Sequence, residues 1–382
     1  MEWDEADGAG TRAAVRAFEA RVDAAVATAP PSKAWVRDAV RRRGAARPPV
    51  RLRRLTVDIV LRHGDLLAEL FEAFPDDVQH IQPYDMTTGW QGGAGTALDP
   101  LTLLTTDARW TDEWGTGWEH AIGGSGASPV SAPLADWADL DAWLEASLPD
   151  PCAPGRLDGA LPALRALAPT RWTAATTHQA VWERYNQLRG MESAFEDLVS
   201  GEPDVERLLD AITEYGVELI GRWPGVGPVD AIFLTDDWGT QLGLMCSPAT
   251  WRRRFAPRYR RLCDAAHALG LDVVFHSCGN VHELLGDLVD AGVDVIDPLQ
   301  PEAMDLGRVA RELGGQVAFA GGIPVQRLPS MTPEAVRDEV ARLRDTLGAP
   351  FGNALILAPS NSLLADVPAD NLVALFEACH AA

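Results

Sequence analysis

The sequence predicts an α/β protein built as a (β/α)8 TIM barrel, and three observations carry that prediction. The second half of the chain repeats one unit: a short β-branched run, a polar tip, then a helical pattern. The runs are DAIFLTDD at 230–237, LDVVFHSC at 271–278, GVDVIDP at 292–298, GQVAFAGG at 315–322 and ALILAPSN at 354–361. These runs are apolar along most of their length, as expected of parallel strands covered on both faces. Weaker runs at 49–54, 78–85 and 171–177 bring the count to eight in a chain of 382 residues, a length that suits a barrel with insertions. An open doubly wound sheet is the alternative.

Taken in order, residues 1–45 read as a helical amino-terminal extension, with APPSKA as a break, packed on the barrel or on a second subunit. The barrel is expected over residues 46–382. Its first three strands are the weaker runs. Between the second and third, residues 86–135 are rich in Gly, Thr and Trp with little helical period, so they read as an insertion of loops or a hairpin over the barrel mouth. Further on, VHELLGDLVDAG and PEAVRDEVARLRDTLG carry helix-period apolar residues. Thr332 before Pro333 fits an N-cap with Pro in the first turn, and Gly348 is a stop signal.

Composition sets limits on function. With 55 acidic and 33 basic side chains the formal charge is −22, which repels a phosphate backbone and argues against nucleic acid as a partner. The amino terminus lacks the apolar core of a signal peptide and no apolar run is long enough to span a bilayer, so a cytoplasmic protein without a membrane partner is expected. The five cysteines are odd in number and form no CxxC pair, as expected of reduced thiols. A homodimer, with the amino-terminal extension packed on the second subunit, is one expected assembly.

Chemistry concentrates where the clear runs end. His276 and Cys278 stand two residues apart, and in an extended strand residues i and i+2 point to one face, so an imidazole and a thiol converge. Zinc takes both donors, and a chemically active zinc keeps one position open for a small-molecule substrate or water. The other strand ends carry Asp236 and Asp237, Asp297 with Gln300 soon after, Gly321 and Gly322, and Ser360 and Asn361. In a barrel these meet at the face that holds active sites. Each also has a plainer reading. His276 and Cys278 can be a core histidine and a buried thiol, and Asp236 and Asp237 a helix cap and an ion-pair partner. The two glycines can be a tight turn, and Gln300 a loop-bonding group. The arginines at 41–43, 47, 51, 53 and 54 read as a solvated structural cluster, because Lys33 is the only lysine and arginine supplies nearly every cation. Asp85, Asp112 and Glu113 are weaker site candidates, and the tryptophans of the insertion are core residues first.

The run from Asp236 to Pro301, followed by AFAGGI and APSNSLLADVPADNL, resembles the uroporphyrinogen decarboxylase superfamily. It is closest in pattern to the branch with zinc-dependent, corrinoid-linked thiol methyltransferases and decarboxylase-like proteins. The resemblance is strong over residues 205–380 and weaker before that, through ARPPV and DEWGTGW. It implies a (β/α)8 barrel, and zinc on His276 and Cys278 with Glu302 as an acidic ligand. That branch carries a further cysteine where this chain has Asn361, which is a catalytic candidate beside Asp236 and Asp237. Asp236 or Asp237 would handle a proton or hold substrate, with Gln241, Gln300, Gly321, Gly322, Arg54 and Asp85 around the substrate. The arginine motif that holds tetrapyrrole carboxylates in true uroporphyrinogen decarboxylases is matched here only by Arg54, which argues against that substrate. Three functions follow: a zinc-dependent methyltransferase acting on a small thiol, corrinoid or methylated substrate; a decarboxylase of a small carboxylic acid; or a degenerate barrel that binds a corrinoid or a partner. No Asp-x-His-x-x-Gly corrinoid motif is present, so a corrinoid would arrive free or on a partner protein.

Overall fold

Seven parallel strands form the central sheet of the computed structural model, which describes residues 8–84, 90, 106–121 and 126–381. The strands of the chain are β1 (Val78–Ile81), β2 (Ala108–Thr111), β3 (Gly117–His120), β4 (Ser128–Ser131), β5 (Trp172–Gln179), β6 (Ala231–Thr235), β7 (Asp272–His276), β8 (Val295–Leu299), β9 (Ala318–Ile323) and β10 (Leu355–Pro359). The curled sheet runs β1-β5-β6-β7-β8-β9-β10, each neighbour being the next strand of the barrel repeat. Helices α1 (Gly8–Thr28), α2 (Lys33–Val40) and α3 (Val57–Ala73) precede it, and α4 (Leu140–Ala146) and α5 (Leu161–Leu167) follow β4. Then α6 (Trp182–Arg189), α7 (Met191–Val199) and α8 (Pro203–Val226) connect β5 to β6. The later crossovers are α9 (Pro248–Arg254) with α10 (Ala256–Ala268), α11 (Leu285–Ala291), α12 (Leu306–Leu313) and α13 (Pro333–Leu343), and α14 (Ala369–His380) comes last.

The expected eighth strand is the one departure from the repeat. Val50 bridges Leu357 of β10 in parallel, and the Asp77 amide donates to the Val50 carbonyl, so residues 49–51 lie between the two edges of the sheet. They do not form a regular strand. Pro48 and Pro49 have no N–H to give a ladder. The amides of Val50, Leu52 and Arg53 bond instead to the carboxylates of Asp77 and Asp76.

Alternation along the strands builds the interior. Val78, Trp172, Ala174, Ala231, Phe233, Val274, Val295, Ala318, Ala320 and Ile356 form one buried cluster, each strand turning every second residue inward. Val36 and Val40 of α2 join that cluster and close the end where the strands begin. Lys33 and Arg37 reach Asp230 at 2.8 and 2.7 Å, Arg41 reaches Asp272 at 2.9 Å and Arg47 reaches Asp77 at 3.0 Å. Arg41 and Arg47 are therefore structural, as the sequence predicts. In α1, Val15, Phe18, Val22 and Val26 sit in the larger core with α3.

The described part of the insertion is more ordered than loops or a single hairpin. It is a three-stranded antiparallel sheet, β2-β3-β4, and it lies against α6 through an Arg184–Asp112 pair at 2.9 Å. Asp112 also accepts from the amides of Trp114 and Thr116 and from the Trp118 indole. Glu113 pairs with the buried Arg156. Both carboxylates thus tie the insertion to residues outside it.

Candidate metal centre

The register of the sheet sets one row of inward side chains above the apolar interior. Thr235 of β6 is level with His276 of β7, and His276 with Asp297 of β8, directly above Phe233, Val274 and Val295. One more inward step along each chain brings Asp237 and Cys278. Here an imidazole nitrogen, a thiol sulfur and a carboxylate oxygen lie within 4.8 Å of one another. His276 Nε2 is 3.3 Å from Cys278 Sγ and 3.8 Å from Asp237 Oδ1.

Two backbones in contact hold this trio together. The Cys278 amide donates to Asp237 Oδ1 at 2.7 Å and the Asn280 amide to the Thr240 carbonyl at 2.7 Å. Gly279 has φ +80°, and a Cβ there would stand 2.5 Å from the Gly239 carbonyl carbon. Only glycine lets the two loops approach this closely. Gln300, buried, accepts from the Gly279 amide at 3.0 Å and so supports the loop.

Beneath the trio lies a buried polar layer. His276 Nδ1 bonds Asp297 Oδ2 at 3.0 Å, which leaves Nε2 for the site. Arg51 binds the other oxygen of Asp297 at 2.7 Å and touches His80 Nε2 at 2.6 Å. Burial alone would raise Asp297, but Arg51 and His276 hold it well below the usual carboxylate range. Burial opposes a proton on His276, yet its bonds to Asp297 and Cys278 push it up to about 10. Burial and then the Arg51 charge keep His80 well below its ordinary value, so it accepts from the guanidinium as a neutral ring. At the start of α6, Glu183 accepts from the Thr235 hydroxyl at 3.1 Å. Burial, with the charges of Asp236 and Asp237, pushes Glu183 up to about 8.

Arg51, His80 and Glu183 escaped the sequence reading. Arg51 looked like part of a solvated cluster, but it is buried on Asp297. The signal for His80 was strand alternation: it follows the inward Val78 by two residues, and its ring lies 4.3 Å from Phe233. Glu183 had no local signal, because its setting comes from β6 across the sheet.

Asp236 is fully buried and points away from the trio. It accepts from the amides of Val181, Trp182 and Glu183 and from the Tyr259 hydroxyl, which makes it the anchor of the turn into α6 and corrects a catalytic assignment. Glu302 bonds Ser360 Oγ and the Gln326 amide, outside the converging trio, and Asp237 supplies the carboxylate instead. Asn361 is exposed and accepts from the Ser362 amide. Gln241 is exposed on the loop after β6. Gly321 has φ +110° and a Cβ there would meet the Leu299 amide at 2.6 Å, while Gly322 packs under Leu343, so both serve the backbone. Arg54 lines a cavity of about 820 Å³ together with Arg51, His80, Thr235, His276 and Asp297. Asp85 lies outside the described residues.

The donor set fits zinc. One nitrogen, one sulfur and one oxygen converge, and the outer imidazole nitrogen is fixed by a carboxylate, the usual support of a zinc-bound histidine.

The sequence model of the uroporphyrinogen decarboxylase (URO-D) family matches residues 115–382. Among solved structures, a methyltransferase from Methanosarcina mazei is 17% identical and superposes with a TM-score of 0.66, covering 92% of this chain and 98% of that one. It shares the fold. An endo-beta-1,4-xylanase from Gloeophyllum trabeum matches at 14% identity and a TM-score of 0.37, over 58% of this chain and 80% of that one. No curated protein matches the chain.

Proposed function

Because the chain belongs to the uroporphyrinogen decarboxylase family, whose members include decarboxylases and methyltransferases, we propose that it is a zinc-dependent methyltransferase acting on a small thiol. The observation that carries this reading is the convergence of Asp237, His276 and Cys278 over a histidine fixed by Asp297. These three residues would hold the ion. When bound, zinc supplies Lewis acidity that favours the thiolate of a substrate in its open position.

The rest of the chemistry falls to the protein. Methyl transfer to a thiol forms a sulfur–carbon bond and breaks the donor–carbon bond, leaving the electron pair on the donor and releasing the thiol proton. Asp237, whose side chain is 39% exposed against 12% for His276, is the carboxylate through which that proton leaves. Asp297 and Arg51 fix the imidazole and balance its charge. Arg54 offers the cavity a cation for an acidic group on the substrate. The donor in this reading is a methylated corrinoid, free or carried by a partner protein.

This is tested by incubating zinc-loaded protein with methylcobalamin and a panel of small thiols. Thioether should form with the wild type and fall at least a hundred-fold with His276→Ala. Thioether at equal rates with both proteins rejects the proposal.

One observation favours a second reading, decarboxylation of a small acid. Arg54 lines the cavity and can hold a carboxylate, and Glu183, whose carboxyl burial pushes up to about 8, bonds the Thr235 hydroxyl of that lining and can return a proton through it to the carbanion that carbon dioxide leaves behind. Carbon dioxide release from a panel of small acids, lost with Arg54→Ala, is its expected outcome. No release from any acid removes it.

A further inference from the structure

The cavity beside His276 is lined by residues from both faces of one strand. Val78 and His80 of β1 face the barrel interior, Val78 within the apolar cluster and His80 against Phe233. Gln79, between them, faces outward, yet all three line the same space of about 820 Å³. A continuous cavity that touches both faces of a strand passes round its edge. One edge of β1 is occupied along Val78–Ile81 by pairing with β5. The other is the seam against residues 51–54, where the Leu52 and Arg53 amides are taken by the Asp76 carboxylate instead of by β1. The cavity therefore crosses the barrel wall at the irregular eighth position of the sheet.

Its two ends differ in chemistry. Inside are His80, Phe233, Thr235, His276 and Asp297. Outside, it opens between α1 and α5, where Pro162, Ala163, Ala166 and Leu167 offer an apolar face and Pro162 and Ala166 are exposed. Three arginines line the passage. Arg51 is engaged by Asp297 and Arg53 by Asp23, whereas the Arg54 guanidinium makes no hydrogen bond or ion pair among the described residues. The passage thus holds one guanidinium that no carboxylate bonds directly, with Asp297 near enough to feel its charge and Asp76 also in the lining.

We propose that this cavity is a through-wall channel for an acid with an unbranched apolar tail: the carboxylate rests on Arg54, the reacting end faces His276, and the tail leaves over Ala163 and Ala166. This deepens the functional reading above, since it takes the centre at His276 as the place of reaction, and it makes α5 the element that selects tail length. Alanine at 163 and 166 keeps the outer half open, and a larger side chain at either position shuts it.

The test is calorimetric binding of straight-chain carboxylates from butanoate to decanoate to the full-length protein. Affinity should tighten about four-fold for each added methylene, as for transfer of one CH2 from water. Ala163→Trp should flatten that dependence while leaving butanoate within about two-fold of wild type. Ala166→Trp, at an exposed position that a larger side chain does not unfold, should do the same. Arg54→Ala should weaken all the acids in parallel, by about ten-fold or more. Affinity independent of chain length, no binding of any acid, or an unchanged chain-length dependence in both tryptophan variants overturns the proposal. The readout is binding, without metal or turnover. Protein that lacks zinc but shows the dependence therefore overturns the centre alone, and zinc-loaded protein that lacks the dependence overturns the channel alone.

Discussion

Asp236 and Asp237 are adjacent and have separate roles. The first caps three backbone amides and a tyrosine inside the protein, and the second stands beside His276 and Cys278. Asp236→Ala should cost about 3 kcal/mol or more in denaturant unfolding, since several buried donors lose their acceptor. Asp237→Asn should leave stability within about 1 kcal/mol of wild type and lower zinc affinity instead. Equal loss of stability in both would refute this division. The sequence showed the pair but not the division, although alternation held the answer: Asp237 continues the inward series from Phe233 and Thr235. His276 and Cys278 were legible because both donors come from one strand end. Asp237 as third donor was not, because it joins them through a loop contact. Asp297→Asn should weaken zinc binding by about 10- to 100-fold by releasing the imidazole, and cost about 3–5 kcal/mol by stranding buried Arg51. Adding Arg51→Met should restore most of the stability and none of the zinc affinity.

At the scale of elements, the site depends on two loops meeting through glycine. Gly279→Ala places a methyl group against the backbone of Gly239 at a φ of +80°, so the loops must part. The expected result is a loss of about 1–3 kcal/mol in stability together with weaker zinc binding. Unchanged zinc affinity in a folded variant would show that the loop contact does not position Cys278. The five clear strands were legible because each is a short, mostly apolar run on a sheet buried on both faces. The first run was not recoverable as a regular strand, since what replaces its ladder is the side chains of Asp76 and Asp77, 23 to 27 residues away. Glu302 failed as a ligand for a related reason: it follows β8 by three residues, where Ser360 and the Gln326 amide claim it.

Across the whole molecule, buried acids tie stability to pH. Burial pushes Glu183 up to about 8, Asp76 to about 7 and Asp236 to about 6. A carboxyl whose folded pKa lies above its unfolded value adds stability that is full below the unfolded pKa and is lost as pH rises through the folded one. Asp297, held low, acts oppositely and loses its contribution only in acid. The metal-free protein should therefore be more stable near pH 5.5 than near pH 8.5, and Glu183→Gln should flatten that slope in thermal melts. A slope unchanged by the substitution would assign the effect to other groups. None of the described helices is long and apolar enough to cross a membrane. The central claim, that Asp237, His276 and Cys278 form a zinc centre, is tested most directly by elemental analysis of protein purified without added metal, wild type beside Cys278→Ser. The account predicts close to one zinc per chain in the wild type and little in the variant. No zinc in the wild type, even after reconstitution, or equal zinc in both proteins, would contradict it.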